Sequence, residues 1–220
     1  MRELSISVYF ARAVLRNAVA IGLDPMQLLR KNRISPRLLL EEGARISIER
    51  FADLQVSTML AMNDEALGYT SRRLPIGTWS MMCHAVIGCE TLGQALNRYC
   101  RFFQLFEATP FPALLEEADL VRLMLFNAHR FGSWLVQEHL PLQAVNLAYA
   151  PAARPEDYRH MFLANPVHFD AEYCELVFST TLMDKRISQT EQSLRHYLRH
   201  PVLMMLTQDF QRNSWTARVR

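Results

Sequence analysis

The chain has 220 residues, of which half are hydrophobic, and its formal net charge at pH 7 is only +2. This length and composition allow a sizeable core in one large or two small domains, and the small net charge gives no indication of nucleic-acid binding. Every run of about eighteen residues carries a charge, and Arg12 and Arg16 interrupt the apolar start, so neither a membrane span nor a signal peptide is predicted. We therefore expect a cytoplasmic protein.

The first third of the chain has the apolar spacing of short amphipathic helices. Gly22 is expected to end the first helix, Asp24 and Ser47 are placed to cap two later ones, and Ser35 with Pro36 begins a further short helix. Helices this short need a shared core, so residues 1–66 are predicted to form a small bundle. The apolar side chains that share one face of the first predicted helix, its apolar stripe, are Val8, Ala11, Leu15 and Val19.

Residues 67–200 combine helical and alternating patterns, which predict an α/β unit. Thr78–Gly88 has the spacing of a helix, and Thr91 with Gln94 forms a capping box for the next one. Beyond it the apolar period changes to two, which predicts strands, with a short helix at Trp134–His139 among them. The predicted strands are Phe111–Glu117, Leu120–Asn127, Leu142–Tyr149, Val167–Phe169 and Glu175–Ser179.

The last part of the chain again has the signals of helices. Pro155–Phe162 is predicted to be a helix, Ser188–Glu191 a second capping box, and His200 with Pro201 the start of another helix. The fold class is therefore α+β, with an N-terminal helical bundle packed on a small mixed β-sheet with helices, followed by a helical C-terminal tail. The sequence contains no internal repeat and no flexible linker, which favours one compact unit or two tightly packed subdomains, 1–66 and 67–200.

Known catalytic and metal-binding motifs are missing from the sequence. Cys83 and His84 are adjacent on a predicted helix, where neighbours point about 100° apart and cannot form a nucleophile–base pair. His196 and His200 have the spacing of two metal ligands, but a polar helix face explains them better and no third or fourth ligand is evident. We expect no catalytic residue, no metal and no cofactor.

Aromatic and sulfur-containing side chains are concentrated between residues 77 and 106. Core packing explains such residues, but flexible methionines and aromatic rings also line adaptable apolar pockets. The sequence therefore predicts a small-molecule pocket between these helices and the sheet. The candidate pocket residues are Trp79, Met82, Cys83, His84, Tyr99, Phe103 and Phe106.

Three blocks of sequence together resemble one family. Gly77–Phe106 combines a glycine, a helix of small and apolar residues, a Thr-Leu cap and an Ala-Leu helix, and Asn146–Phe178 combines a strand, a proline loop and two further short strands. Leu198–Arg220 ends in a Ser-Trp-Thr run. This combination resembles the arabinose-binding-like N-terminal domain of AraC-type transcription regulators. One departure is the short segment Phe131–Pro141, where the family has a longer helix, which indicates a deletion or missing residues.

The resemblance implies an effector-binding and dimerisation domain at residues 1–212. Residues 213–220 then correspond to the linker or first helix of a DNA-binding domain that is absent, so the fragment is expected to contact DNA only through that domain and to bind no operator alone. The aromatic interior favours an apolar or amphipathic effector, such as an acyl chain with a polar head, over a sugar. Two alternatives stay open: a ligand-free dimerisation or protein-interaction module, and a small enzyme.

Overall fold

The computed structural model describes residues 4–41, 43–70, 72–106, 117–151, 157–158 and 161–208. Over these residues the chain has eight α-helices and two small sheets, which confirms the predicted α+β class. The helices are α1 Val8–Ala20, α2 Pro25–Lys31, α3 Ile48–Met62, α4 Thr78–Ile87, α5 Leu92–Gln104, α6 Glu117–Val136, α7 Glu191–Tyr197 and α8 Pro201–Thr207. The strands are β1 Ser5–Ser7, β2 Arg45–Ser47, β3 Ala144–Asn146, β4 Val167–His168 and β5 Glu175–Val177.

The predicted helix caps of the first third are present. Asp24 Oδ1 accepts from the Met26 N–H at 2.8 Å, and Ser47 Oγ accepts from the Arg50 N–H at 3.4 Å, which satisfies N–H groups that have no partner within their helices. Val19, the last residue of the predicted stripe of α1, is half exposed because the helix ends one residue later and the chain turns at Gly22 with φ +88°. The segment at Pro36–Leu40 is a 3-10 helix without a side-chain cap.

Two small sheets tie distant parts of the chain together. β1 pairs antiparallel with β2, with Ser5 opposite Ser47. In the second sheet β3 lies in the centre, parallel to β4 and antiparallel to β5. β3, β4 and β5 are two or three residues long, shorter than predicted, and β1 and β2 were not predicted. Helix packing therefore supplies most of the core.

The predicted strand Leu120–Asn127 is wrong, because this segment belongs to the 20-residue helix α6. Its nearly continuous run of apolar residues is compatible with the period of a strand and with that of a helix. The length of the segment decides between the two, because strands are rarely this long. The helix predicted at Trp134–His139 is the last turn of α6, which ends at Val136. The segment Phe131–Pro141 therefore does contain part of a long helix, which begins much earlier than predicted.

Two other predictions are changed or only partly described. Thr190, not Ser188, caps α7, and its capping-box partner is Ser193. The predicted strand Phe111–Glu117 lies outside the described residues apart from Glu117, and half of the predicted helix Pro155–Phe162 lies outside them too.

One continuous set of buried side chains runs from Ile6 to Leu206, across the proposed boundary at residues 66 and 67. Within it α3 packs against α1 and α8, and α5 packs against α4 and α6. The division into two subdomains stays a prediction. None of the helices among the described residues is long and apolar enough to cross a bilayer.

Candidate functional site

A cavity of about 430 Å³ lies between α3, the chain from Glu65 to Ser80, α5 and the α7–α8 junction. Its size falls in the range of small-molecule sites. The larger apolar side chains of the wall that are not aromatic are aliphatic or sulfur-containing, and they come from three parts of the chain. These residues are Val56, Met59, Leu60, Leu74, Ile76, Leu198, Val202, Leu203 and Met205.

One wall of the cavity is aromatic. Trp79 and Tyr99 lie edge to face with ring centroids 6.5 Å apart, and Tyr99 meets Phe103 in the same way at 5.0 Å. Phe106 completes the wall. Four of the seven candidate pocket residues therefore lie together around one cavity, Trp79 on α4, Tyr99 and Phe103 on α5, and Phe106 just after α5.

The other three candidates do not line this cavity. Met82 and Cys83 are fully buried in the core, and His84 is exposed with its Nδ1 3.3 Å from Oε2 of Glu191 on α7. The reason is that the cavity lies at the N-terminal end of α4, where Thr78, Trp79 and Ser80 line it. Met82 and Cys83 follow one turn later on the face of Trp79, where they pack into the core. Burial, with a smaller contribution from the Glu65 charge, raises the pKa of the Cys83 thiol. Cys83 is therefore protonated at pH 7 and is not an activated nucleophile.

Glu65 is a site residue that sequence reasoning missed. Its Oε1 accepts from the Gly77 N–H at 2.7 Å and its Oε2 accepts from the Trp79 N–H at 2.6 Å. Gly77 precedes α4 and has no side chain to cap it, so a carboxylate from twelve residues earlier takes that role. No local pattern reveals a cap that comes from so far along the chain. Glu65 thereby fixes the position of Trp79 in the wall.

Asp64 holds the same wall from the inside. It is buried, and its Oδ1 accepts from the N–H groups of Ala66 and Leu74 at 2.9 Å each, while Oδ2 accepts from Gly68 at 2.9 Å. Both carboxylates are therefore occupied by backbone groups. The acidic pair shapes the cavity and leaves little capacity for binding a ligand's hydroxyl groups.

A smaller cavity of about 70 Å³, here called the annex, adjoins the first. Gln55, Asn127, Val202 and Met205 line both cavities. The rest of the annex is mostly apolar, with side chains from α1, α3, α6 and α8. The annex therefore shares part of its wall with the larger cavity and is otherwise enclosed by core residues.

Polarity changes from the rim of the cavity to its interior. Apart from the half-buried Glu65, whose carboxylate caps α4, the charged lining residues Asp53 and Arg199 are exposed, as is His200, so they meet solvent. Gln55, by contrast, is buried with 8 % of its surface exposed. A molecule with an apolar body and a polar end would match this gradient. Over the part of the chain that the structure describes, no three His, Cys, Asp or Glu side chains converge as metal ligands, and His196 and His200 acquire no third partner.

The chain was compared with known protein families and with curated proteins. The model of the family described as the arabinose-binding domain of AraC transcription regulators, N-terminal, matches residues 22–187. No curated protein gave a match. The matched region includes α3 to α6 and the Glu65–Ser80 wall, whereas the cavity wall formed by the α7–α8 junction follows it in the chain.

Proposed function

The chain belongs to the family of N-terminal arabinose-binding domains of AraC transcription regulators, and from this premise we propose that its cavity binds an apolar or amphipathic effector. The family is one of regulatory ligand-binding domains and not of enzymes. The observation that carries the proposal is the aromatic and aliphatic wall around a cavity of about 430 Å³. A cavity of this size and lining suits a compact organic molecule or an acyl chain.

The polar groups around the cavity argue against a sugar. A sugar site needs several converging side chains that are free to hydrogen-bond hydroxyl groups, because a buried polar group without a partner is costly. Here Glu65 binds backbone N–H groups and Thr78 Oγ1 donates to the Pro75 carbonyl at 2.6 Å, so towards the interior the amides of Gln55 and Asn127 are the polar groups left for a ligand. An acyl-like molecule with one polar end needs far fewer partners.

The α7–α8 junction gives the effector a route to the rest of a regulator. Leu198, Pro201 and Leu203 line the cavity, and α8 packs on α3 and α6 immediately before the last described residue. A ligand that contacts these residues more favourably in one arrangement of α8 than in another shifts the population towards that arrangement. Cytoplasmic location, pairing with a second copy and DNA contact through a separate domain belong to the same proposal.

The experiment is a thermal-shift titration with dodecanoic acid and a cavity-filling variant. Val56→Trp places a large ring at a half-exposed cavity position on α3, and Val19→Trp is the matched change on α1, outside the cavity. Dodecanoic acid at about a hundredfold excess over its Kd should raise the Tm by roughly 5–10 °C in the wild type and in Val19→Trp. Val56→Trp should show little rise. Equal rises in all three proteins would contradict binding in this cavity.

Two further measurements test the regulatory part of the proposal. Sedimentation analysis should show a dimer at micromolar concentration, and a monomer throughout would contradict dimerisation by this domain alone. In a gel shift the 220-residue chain should show no salt-resistant, sequence-specific binding to operator DNA, because no recognition helix is expected in it. Specific binding would place DNA recognition within these residues.

A further inference from the structure

Gln55 and Asn127 are the polar side chains common to the cavity and the annex. We infer that these two amides recognise a neutral oxygen, keto or hydroxyl, within the effector's chain, an inference that rests on the proposed effector site. The annex then takes the short apolar end of the chain beyond that oxygen. The effector is then an amphipathic chain with a second polar group near its apolar end. A plain saturated acyl chain is the weaker ligand.

The state of the two amides supports this role. Gln55 is more than nine-tenths buried, yet neither its amide nor that of Asn127 hydrogen-bonds another described residue. An amide in an apolar interior needs a partner, which water supplies while the cavity is empty. A ligand that fills this space with methylene groups removes that water and leaves the amides without partners. A ligand with an oxygen at the same place replaces the water.

The charges around the site explain why the recognised group is neutral. Asp53, Arg199 and His200 lie at the exposed rim, where a carboxylate end of the ligand stays hydrated. Among the residues that the structure describes, no Asp, Glu, Lys, Arg or His lines the annex. A charged group at the junction would lose its hydration without an opposite charge to compensate it. An amide offers both a donor and an acceptor, so it binds a keto or a hydroxyl oxygen.

The volume of the annex limits what lies beyond that oxygen. About 70 Å³ has room for about two or three groups of the size of a water molecule or a methylene. Phe10, Phe51 and Met161 surround this space, so the group that enters it is apolar. The oxygen should therefore stand about three carbons from the end of the chain.

The experiment compares two probes by titration calorimetry on the whole chain. The first is dodecanoic acid. The second is the same acid with a keto group on the carbon that precedes its terminal propyl group. The test variant combines Gln55→Leu with Asn127→Leu. The matched control combines Gln104→Leu with Asn97→Leu, which are exposed positions on α5 outside both cavities.

The wild type and the control should bind the keto acid about tenfold more tightly than dodecanoic acid, and the test variant should lose this preference. No preference in the wild type, or a preference that survives in the test variant, would overturn the inference while leaving the effector site intact. If neither probe binds the wild type, the effector site fails as well.

A second readout needs no substitution. The Met161 side chain lines the annex and not the larger cavity, so its methyl NMR signal reports on the annex. The keto acid should shift this signal in the wild type. An unchanged Met161 signal at saturation would contradict occupation of the annex.

Discussion

Glu65 connects the end of α3 to the start of α4, and this single side chain determines where Trp79 stands. Its carboxylate accepts two backbone N–H groups at the positive end of a helix. We expect Glu65→Ala to lower the free energy of unfolding by about 2 kcal/mol. Urea unfolding measures this loss. Glu65→Gln, which keeps one good acceptor, should lose about half as much.

The control for Glu65 is Glu90→Ala. Glu90 is exposed, and its carboxylate makes no hydrogen bond to the described residues. Glu90→Ala should therefore change the free energy of unfolding by less than about 0.5 kcal/mol. Similar losses in Glu65→Ala and Glu90→Ala would mean that the cap contributes nothing specific.

His129 makes the stability of the chain dependent on pH. Burial lowers its pKa from 6.5 to about 4, with Arg130 and His139 adding to the fall and the Leu140 carbonyl opposing it. The unfolded chain takes up a proton below about pH 6.5 while the folded chain does not, so this stabilisation is complete above pH 6.5 and is lost as the pH falls towards 4. Between about pH 7 and pH 5 the loss should be roughly 2 kcal/mol.

Urea unfolding at several pH values tests the role of His129. His129→Gln keeps a donor for the Leu140 carbonyl, which accepts from Nε2 at 3.0 Å, but cannot titrate. The variant should lose clearly less stability on acidification than the wild type, whereas His168→Gln, at an exposed position on β4, should behave as the wild type does. An unchanged acid dependence in His129→Gln would place the titrating group elsewhere.

At the scale of elements, Arg130 links α6 to the end of α8. It is 1 % exposed, its Nε donates to the Met161 carbonyl at 2.7 Å, and its Nη1 donates to the Gln208 carbonyl at 3.3 Å. The guanidinium lies 5.5 Å from the centre of the Phe126 ring. Burial lowers the pKa of Arg130 to about 9, which leaves it cationic at pH 7. One side chain thus joins three segments of the chain.

Loss of this link should destabilise the protein and loosen α8. We expect Arg130→Met to lower the free energy of unfolding by roughly 2–4 kcal/mol, because two buried carbonyls lose a charged donor. Arg130→Lys should restore little of the stability, since the single ammonium of lysine does not reproduce the planar set of donors of a guanidinium. Urea unfolding gives the energy, and hydrogen exchange should rise selectively in α8. Arg101→Met, an exposed change on α5, is the control. Equal exchange in α8 of both variants would contradict the link.

The elements also show what the sequence could reveal. Most local signals were reliable, because the caps at Asp24, Ser47 and Thr91 depend on contacts within four residues. α6 was misread as strands at Leu120–Asn127 because an almost wholly apolar run carries no decisive period. The helical alternative becomes evident only when the whole 20-residue helix is considered. Its buried polar residues His129, Arg130 and Ser133 follow helical spacing and were the available signal.

At the scale of the whole molecule, the site was only half predictable. The aromatic residues of α4 and α5 were identified because they are clustered in the sequence. Gln55, Asn127 and the α7–α8 junction were missed, because they come from elements far apart that only tertiary packing brings together. Met82, Cys83 and His84 were included because the direction of each side chain on a short helix depends on what packs against it. Whether any of these residues contacts an effector stays a prediction.

The central claim is that this domain holds its effector in the cavity between α3, α5 and the α7–α8 junction. Methyl NMR of the methionine side chains tests it most directly. Met59 and Met205 line the cavity, whereas Met26 and Met81 are exposed and lie outside it. Saturation with dodecanoic acid should shift the Met59 and Met205 signals and leave those of Met26 and Met81 in place. Shifts confined to Met26 and Met81, or no shift at all, would contradict the claim.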